Sequence, residues 1–265
     1  MLTIRSTRNS RIVQARKLHR RRDRRKQGQF LVEGPTALIA ALQAGHKPSQ
    51  VFYCAQQATD DDMPLLLQRL QQTEIDVVNV SVEVIDSLSE PKVARGIVAT
   101  LPLFEADLPT LAPGQSALIV VADQLQDPVN LGKIVHTAYA VGATGIVLLE
   151  PCVDPFDPPA VRESRGAILG LPLIRLEDAN VFWAWCQKNG VRTVGAGAHR
   201  GKMWGTGILQ CRVALVLGNE KRGLDKETAG QIDSWAHLPM AGKVESLNVA
   251  VAGGILMYLW LQENS

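Results

Sequence analysis

The 265-residue chain is poor in the features that most simply announce a function. Its four cysteines, Cys54, Cys152, Cys186 and Cys211, form no CxxC pair. That spacing excludes a disulfide framework or a thiolate zinc site and suits a reducing compartment. The five histidines, at 19, 46, 136, 199 and 237, are scattered, and no His/Cys/Asp/Glu cluster has ligand spacing, so no metal is expected. The longest uncharged apolar stretch, 247–262, is 16 residues and contains Asn248, Gly253 and Gly254. A span needs about 20 apolar residues, so this stretch reads as a buried helix and no membrane partner is expected. Charges stand where a signal peptide would need an apolar run, and a cytoplasmic location is expected. Nucleotide motifs fail as well: there is no GxxxxGKS/T loop, and VGAGAHRG (194–201) lacks GxGxxG spacing.

What is present is a lopsided charge. The net charge of +2 conceals eleven Lys and Arg against one acid in residues 1–30. The other 235 residues carry 17 bases and 25 acids, a net of −8. A basic arm on an acidic body suits a protein that meets nucleic acid at one end. RRRDRR (20–25) concentrates more charge than solubility requires.

Pro102, Pro109, Pro113 and Gly114 punctuate the chain, so the expected organisation is a first domain over 1–104, a linker over 105–116 and a second domain over 117–265. The first reads as a basic helix to about Lys26, then strands at 30–34, 51–55, 75–80 and 96–100 with helices at 35–44, 63–72 and 82–88, a small α/β unit. The second has apolar strand runs at 117–122, 145–149, 172–176, 191–196, 213–218 and 234–240, with helices in most gaps. Buried strands joined by helices imply a parallel sheet covered on both faces, with ligands at the carboxyl ends of its strands.

Three strand-end loops hold hydrogen-bonding side chains among small residues: DPVNLG (127–132), LGNEKRGL (217–224) and LPMAGKVESLNVAVA (238–252). Locally, Asn130 reads as a helix N-cap beside Pro128, and Ser246 as the N-cap of the long apolar helix. Asn248 in a first turn is a poor choice for helix stability alone.

In this order the loops resemble the three signature motifs of the SpoU (TrmH-type) RNA ribose 2′-O-methyltransferases of the SPOUT superfamily. VRESRGAILGLPLIR (161–175) is similar to the family's intervening segment, so the resemblance runs through about 150 residues. The helix over 9–18, Phe30 to Gly34 and Arg95 to Ala99 resemble the family's amino-terminal RNA-binding domain, which is similar to certain ribosomal proteins. The resemblance implies an α/β fold with a trefoil-knotted parallel-sheet methyltransferase domain, a homodimer, S-adenosylmethionine as cofactor and RNA, most often large-subunit (23S) rRNA, as substrate. It implies cofactor contacts from Gly195, Ala196, Gly197, Gly218, Asn219, Glu220, Leu238, Met240, Ser246 and Leu247. It implies a reaction centre of Asn130, His136, Glu220, Ser246 and Asn248. RNA would be held by Arg8, Arg11, Arg20, Arg21, Arg22, Arg24, Arg25, Glu33, Arg162 and Arg165.

The sequence departs from the family at His136, where an arginine is usual six residues after Asn130. Arginine offers a permanent, forked charge, whereas a neutral imidazole accepts a proton near neutrality. Arg162 or Arg165 is a candidate for the missing cation. Three other readings stay open: an RNA-binding paralogue with weak or no catalysis, a tRNA ribose 2′-O-methyltransferase and, outside the family, a Rossmann-like small-molecule enzyme.

Overall fold

The computed structural model describes residues 3–58, 61, 63–72, 75–89, 94–197, 202–203 and 207–265. The end of VGAGAHRG, including His199, lies outside the described residues. The chain folds into two compact units, Met1–Leu103 with Phe156–Gly170, and Phe104–Pro155 with Leu171–Ser265.

The first unit opens with α1 (Ser10–Lys17) and α2 (Arg21–Gln27), followed by β1 (Gln29–Glu33), α3 (Pro35–Gln43), β2 (Gln50–Tyr53), α4 (Met63–Gln71), β3 (Asp76–Asn79), α5 (Val82–Leu88) and β4 (Ile97–Pro102). Its sheet runs β1-β4-β2-β3, antiparallel except for the β2–β3 pair. Ile12, Leu18, Phe52, Ile85, Leu88 and Val98 form its core.

The expected single basic helix is two helices, and the reason is an arginine. Arg24 donates from Nη1 to the Leu18 and His19 carbonyls, at 2.9 and 3.0 Å, and from Nη2 to the Asp157 carboxylate at 2.9 Å. It therefore caps the end of α1 from within α2, while Arg20, in extended backbone, interrupts the ladder between them. Arg24 is 1% exposed. The expectation that it binds RNA is corrected: its charge is already committed inside the unit.

The second unit comprises β5 (Ala117–Asp123), α6 (Pro128–Ala140), β6 (Gly145–Leu149), β7 (Leu173–Leu176), α8 (Ala179–Asn189), β8 (Arg192–Ala196), β9 (Lys202–Met203), β10 (Arg212–Leu217), α9 (Lys226–Gly230), β11 (Ser234–His237) and α10 (Val249–Asn264). A further helix between β6 and β7, α7 (Pro158–Glu163), packs with the first unit. The sheet order is β7-β6-β5-β10-β8-β11-β9, every pair parallel. All residues of β5 and β6 are buried, which explains their continuous apolar runs. The last strand ends at His237 rather than 240, releasing 238–248 as a long loop before α10.

Central placement of β5, β10, β8 and β11 brings the loops after these strands to one edge of the sheet. Both helices entering that edge start differently from expectation. Asp127, not Asn130, caps α6 by accepting from the Val129 amide at 2.8 Å, and Pro128 fills the first helical position. Asn248, not Ser246, caps α10, accepting from the Ala250 and Val251 amides at 2.9 and 3.4 Å.

Arg24→Met should lower the stability of the first unit by about 2–4 kcal/mol, because it strands the buried Leu18 carbonyl, the part-buried His19 carbonyl and the Asp157 carboxylate. The exposed Arg25→Met should change it by less than about 0.5 kcal/mol. Denaturant unfolding of the two variants measures the difference.

Candidate active site at the strand ends

With the capping taken over by Asp127, Asn130 is free for another task. It lies in the first turn of α6, 5% exposed, between the other two motif loops. Its Nδ2 donates to Glu220 Oε1 at 3.3 Å, and its Oδ1 accepts from Asn248 Nδ2 at 3.0 Å. The capping bonds consume Asn248 Oδ1, so Asn248 has its amide nitrogen left to offer Asn130. Asn130 must then turn its own nitrogen to Glu220. The direction of every amide in the series follows from the helix cap.

Glu220 completes the series by holding the loop before α6. Its carboxylate accepts from the Asp127 amide at 3.0 Å and from the Gln126 amide at 3.2 Å. Burial raises its pKa, but these amides, its own backbone N–H and the Asn130 side chain outweigh burial and leave the pKa below the ordinary glutamate value. Glu220 is ionised and surrounded by donors.

The loop after β10 is a tight turn built by Asn219, which is 6% exposed. Asn219 Nδ2 donates to the Gln124 carbonyl at 2.9 Å, and its Oδ1 accepts from the Lys221 and Arg222 amides at 3.0 and 3.1 Å. Reciprocal backbone bonds between Asn219 and Gly223 close the turn. Gly218 is required by this turn: a Cβ there would lie 2.5 Å from the Gly223 carbonyl carbon.

A pocket of about 510 Å³ opens among these loops. It is lined by Asn130, Ala196, Gly197, Gly218, Asn219, Glu220, Leu238, Met240, Ser246, Leu247 and Asn248, with Leu217 and Leu256 adding apolar wall. The structure thus gathers most of the reaction-centre and cofactor residues singled out in the sequence. Gly195 is an exception; it is not among the lining residues, and a Cβ there would come within 3.0 Å of the Trp235 ring. His136 is exposed on α6 and does not line this pocket. Arg162 and Arg165 belong to the segment packed with the first unit, Arg162 half-buried with its Nε 4.0 Å from Glu163 and Arg165 exposed. Arg8, Arg11, Arg20, Arg22 and Arg25 are exposed in that unit, Arg21 and Glu33 half-buried, and Arg11 pairs with Asp76 at 3.0 Å.

Sequence reasoning passed over Lys221, Arg222 and Glu245, which also line the pocket although they lie within the quoted motif loops. It also missed Asp123, which ends β5 at 2% exposure. Burial raises its pKa and the nearby Asp225 carboxylate raises it further, against a hydrogen bond from Thr228, to about 6. Asp225 itself is held below its usual range, chiefly by the Thr228 amide. Among the described residues, no group of three or more His, Cys, Asp and Glu is placed to hold a metal ion.

A parallel α/β domain with a pocket of this size at the carboxyl edge, its polar groups fixed by interlocked amides, is the architecture of an α/β protein built to hold a small ligand. The profile of the SpoU rRNA methylase family matches residues 117–258, and that of the MRM3-like substrate binding domain matches 9–99. The chain belongs to the SpoU rRNA methylase family. It is 32% identical to an uncharacterized tRNA/rRNA methyltransferase of Synechocystis sp., over 97% of this chain and 92% of that one. It is 27% identical to the 23S rRNA (guanosine(2553)-2′-O)-methyltransferase RlmP of Bacillus subtilis, over 97% and 98% of the two chains. The AdoMet-bound rRNA methyltransferase from Sinorhizobium meliloti superposes with a TM-score of 0.88 at 27% identity, covering 98% of this chain and 97% of that one.

The raised pKa of Asp123 makes stability depend on pH in a definite direction. The folded protein retains a proton that the unfolded chain would release, so this contribution is complete below about pH 3.8 and is lost as pH rises through about 6. Asp123→Asn should raise the melting temperature at about pH 8 and change it little near pH 4. Thermal melts across that interval measure the effect.

Proposed function

We propose that this chain is an S-adenosylmethionine-dependent methyltransferase that modifies a ribose 2′-hydroxyl of RNA, with large-subunit (23S) rRNA as substrate. The observation that carries the reading is the continuous Glu220–Asn130–Asn248 series, which ties all three motif loops together at the pocket. The pocket suits the cofactor: Leu217, Leu247 and Leu256 offer apolar surface, while the backbone of the strand-end loops offers polar edges. When bound, the cofactor's sulfonium supplies an already activated methyl group. The chain's own task is to align a hydroxyl with it and receive the proton.

Glu220, ionised and with its oxygens engaged, is a weak base and acts as a positioning residue. Asn130 and Asn248 have fixed amide directions, and the exposed Ser246 hydroxyl stands beside them for the ribose or its phosphate. His136 is the proton acceptor in this reading. It directly precedes Thr137, which lines a groove of about 900 Å³ bordered by α10. Val251, Ile255 and Tyr258 leave that groove apolar and exposed. A second copy of the chain covers it, giving a homodimer with His136 of each chain beside the interface.

In the same reading, residues 1–104 are an RNA-binding domain joined through 105–116 to a methyltransferase domain over 117–265, which carries the family's trefoil knot. The position of β10 between the earlier strands β5 and β8 is compatible with such threading. Arg8, Arg11, Arg20, Arg21, Arg22, Arg25, Glu33, Arg162 and Arg165 are the RNA contacts of this reading. Among the described residues no helix is long and apolar enough to cross a membrane. With rRNA as the substrate of this reading, the proposed location is the cytoplasm.

Methyl transfer from labelled cofactor to ribosomal RNA, followed by mapping of the product nucleotide, tests the activity. His136→Ala should lower the single-turnover rate by roughly 10²–10⁴ if its imidazole takes the proton. His136→Arg should retain activity. An unlabelled RNA would leave the binding paralogue as the better reading, and a labelled tRNA alone would redirect the substrate.

The dimer has its own measurement. Ile255→Glu combined with Tyr258→Glu should halve the mass seen by sedimentation equilibrium while the circular dichroism spectrum stays unchanged, because two carboxylates cannot be buried unpaired in an apolar interface.

A further inference from the structure

An RNA substrate brings a charge problem to this pocket. The 2′-hydroxyl sits on the carbon next to the one bearing the 3′-phosphodiester, so a ribose presented for methylation carries a phosphate close behind it. Two basic residues aside, the polar side chains lining the pocket are neutral amides, a serine, and the Glu220 and Glu245 carboxylates. Beyond residue 30 the chain carries a net −8. Two negative groups at the rim of an acidic body repel a phosphate unless cations are placed to meet it.

Two such cations are present. Lys221 and Arg222 are the only basic residues among those described as lining the pocket. Both are exposed, and neither forms an ion pair with a described residue. Arg222 makes one long side-chain hydrogen bond, 3.4 Å from Nη2 to Gln124 Oε1. The Lys221 ammonium has no bond to a described residue.

Their backbone is far from loose. Asn219 Oδ1 holds both of their amides, and the Asn219–Gly223 bonds close the turn around them. Glu220, which holds Asn130, is the preceding residue of the same turn. The cations are thus built into the element that positions the amide series, and their long side chains alone remain free to adjust.

We propose that Lys221 and Arg222 form a clamp for the RNA phosphodiester flanking the target ribose, fixing the 2′-hydroxyl against the pocket. The proposal rests on the methyltransferase reading above and adds to it the group that recognises substrate charge at the reaction centre. Arg222 supplies a planar fork matched to two phosphate oxygens, and Lys221 a compact charge beside it. A carboxylate on the cofactor would present the same chemistry from the other side of the pocket. The phosphate is the better match because both side chains are exposed at the rim.

The experiment uses the full-length protein with Lys221→Gln, Arg222→Gln, their combination, and the charge-preserving pair Lys221→Arg with Arg222→Lys. Cofactor affinity is measured by calorimetry, affinity for an rRNA fragment is followed against salt, and single-turnover methyl transfer is measured at saturating RNA. The double Gln variant should bind cofactor as wild type does. Its slope of log affinity against log salt should fall by roughly 0.7–0.9 for each phosphate no longer neutralised. Its single-turnover rate should drop as well, and the charge-preserving pair should keep the wild-type slope. An unchanged slope in the folded double variant overturns the clamp. Weakened cofactor binding with an unchanged RNA slope also overturns it, assigning the cations to the cofactor carboxylate. A reduced slope in a protein whose wild type labels no RNA upholds the clamp and overturns the methyltransferase reading instead.

Discussion

The interaction on which the site depends is the buried Asn130 carboxamide. It has one donor direction and one acceptor direction in use, and each faces a different motif loop. A buried amide left without either partner costs roughly 1–3 kcal/mol, so the three loops are locked in one arrangement by a single side chain. The lock extends outwards through Glu220 to the Gln126 and Asp127 amides, and through Asn248 to the first turn of α10. The pocket wall is therefore held by the protein's own hydrogen bonds.

The same economy explains why Asn248 differs from an ordinary cap. Asn248 caps a helix with its oxygen and orients Asn130 with its nitrogen. An aspartate would cap equally well but present a second acceptor to Asn130 and add a negative charge near Glu220. Serine would cap without reaching. Only the carboxamide serves both ends, which gives a physical reason for asparagine rather than aspartate or serine at this cap.

Charge is divided between buried structural positions and exposed ones, and sequence position does not reveal which is which. Arg24, in the densest basic run, is turned inward onto two carbonyls and Asp157. Arg25 beside it is exposed. Lys221 and Arg222 sit in an acidic part of the chain and line the pocket. Asp123 and Asp225, at the root of the same loops, hold unlike proton affinities because one is desolvated and the other receives a backbone amide.

Much of this protein was legible without coordinates. The wholly apolar runs at 117–122 and 145–149 identified a covered parallel sheet, because a strand buried on both faces has no polar side to show. The order of three polar, glycine-bearing loops after such strands pointed to the edge where the pocket lies, since parallel sheets collect strand ends at one edge. The two helix starts were misassigned by two and three residues because Asp127, Asn130, Ser246 and Asn248 are all plausible caps, and local chemistry does not rank them. What only the tertiary structure decided was the partner of each polar group. Asn130 meets Glu220 and Asn248 across 90 and 118 residues of chain, and Arg24 meets Asp157 across 133. Residues 156–170 likewise pack with the first unit although they follow the fifth and sixth strands in sequence. Periodicity and turn chemistry are properties of neighbouring residues and can be read in the chain, whereas burial and pairing arise when distant segments exclude water together.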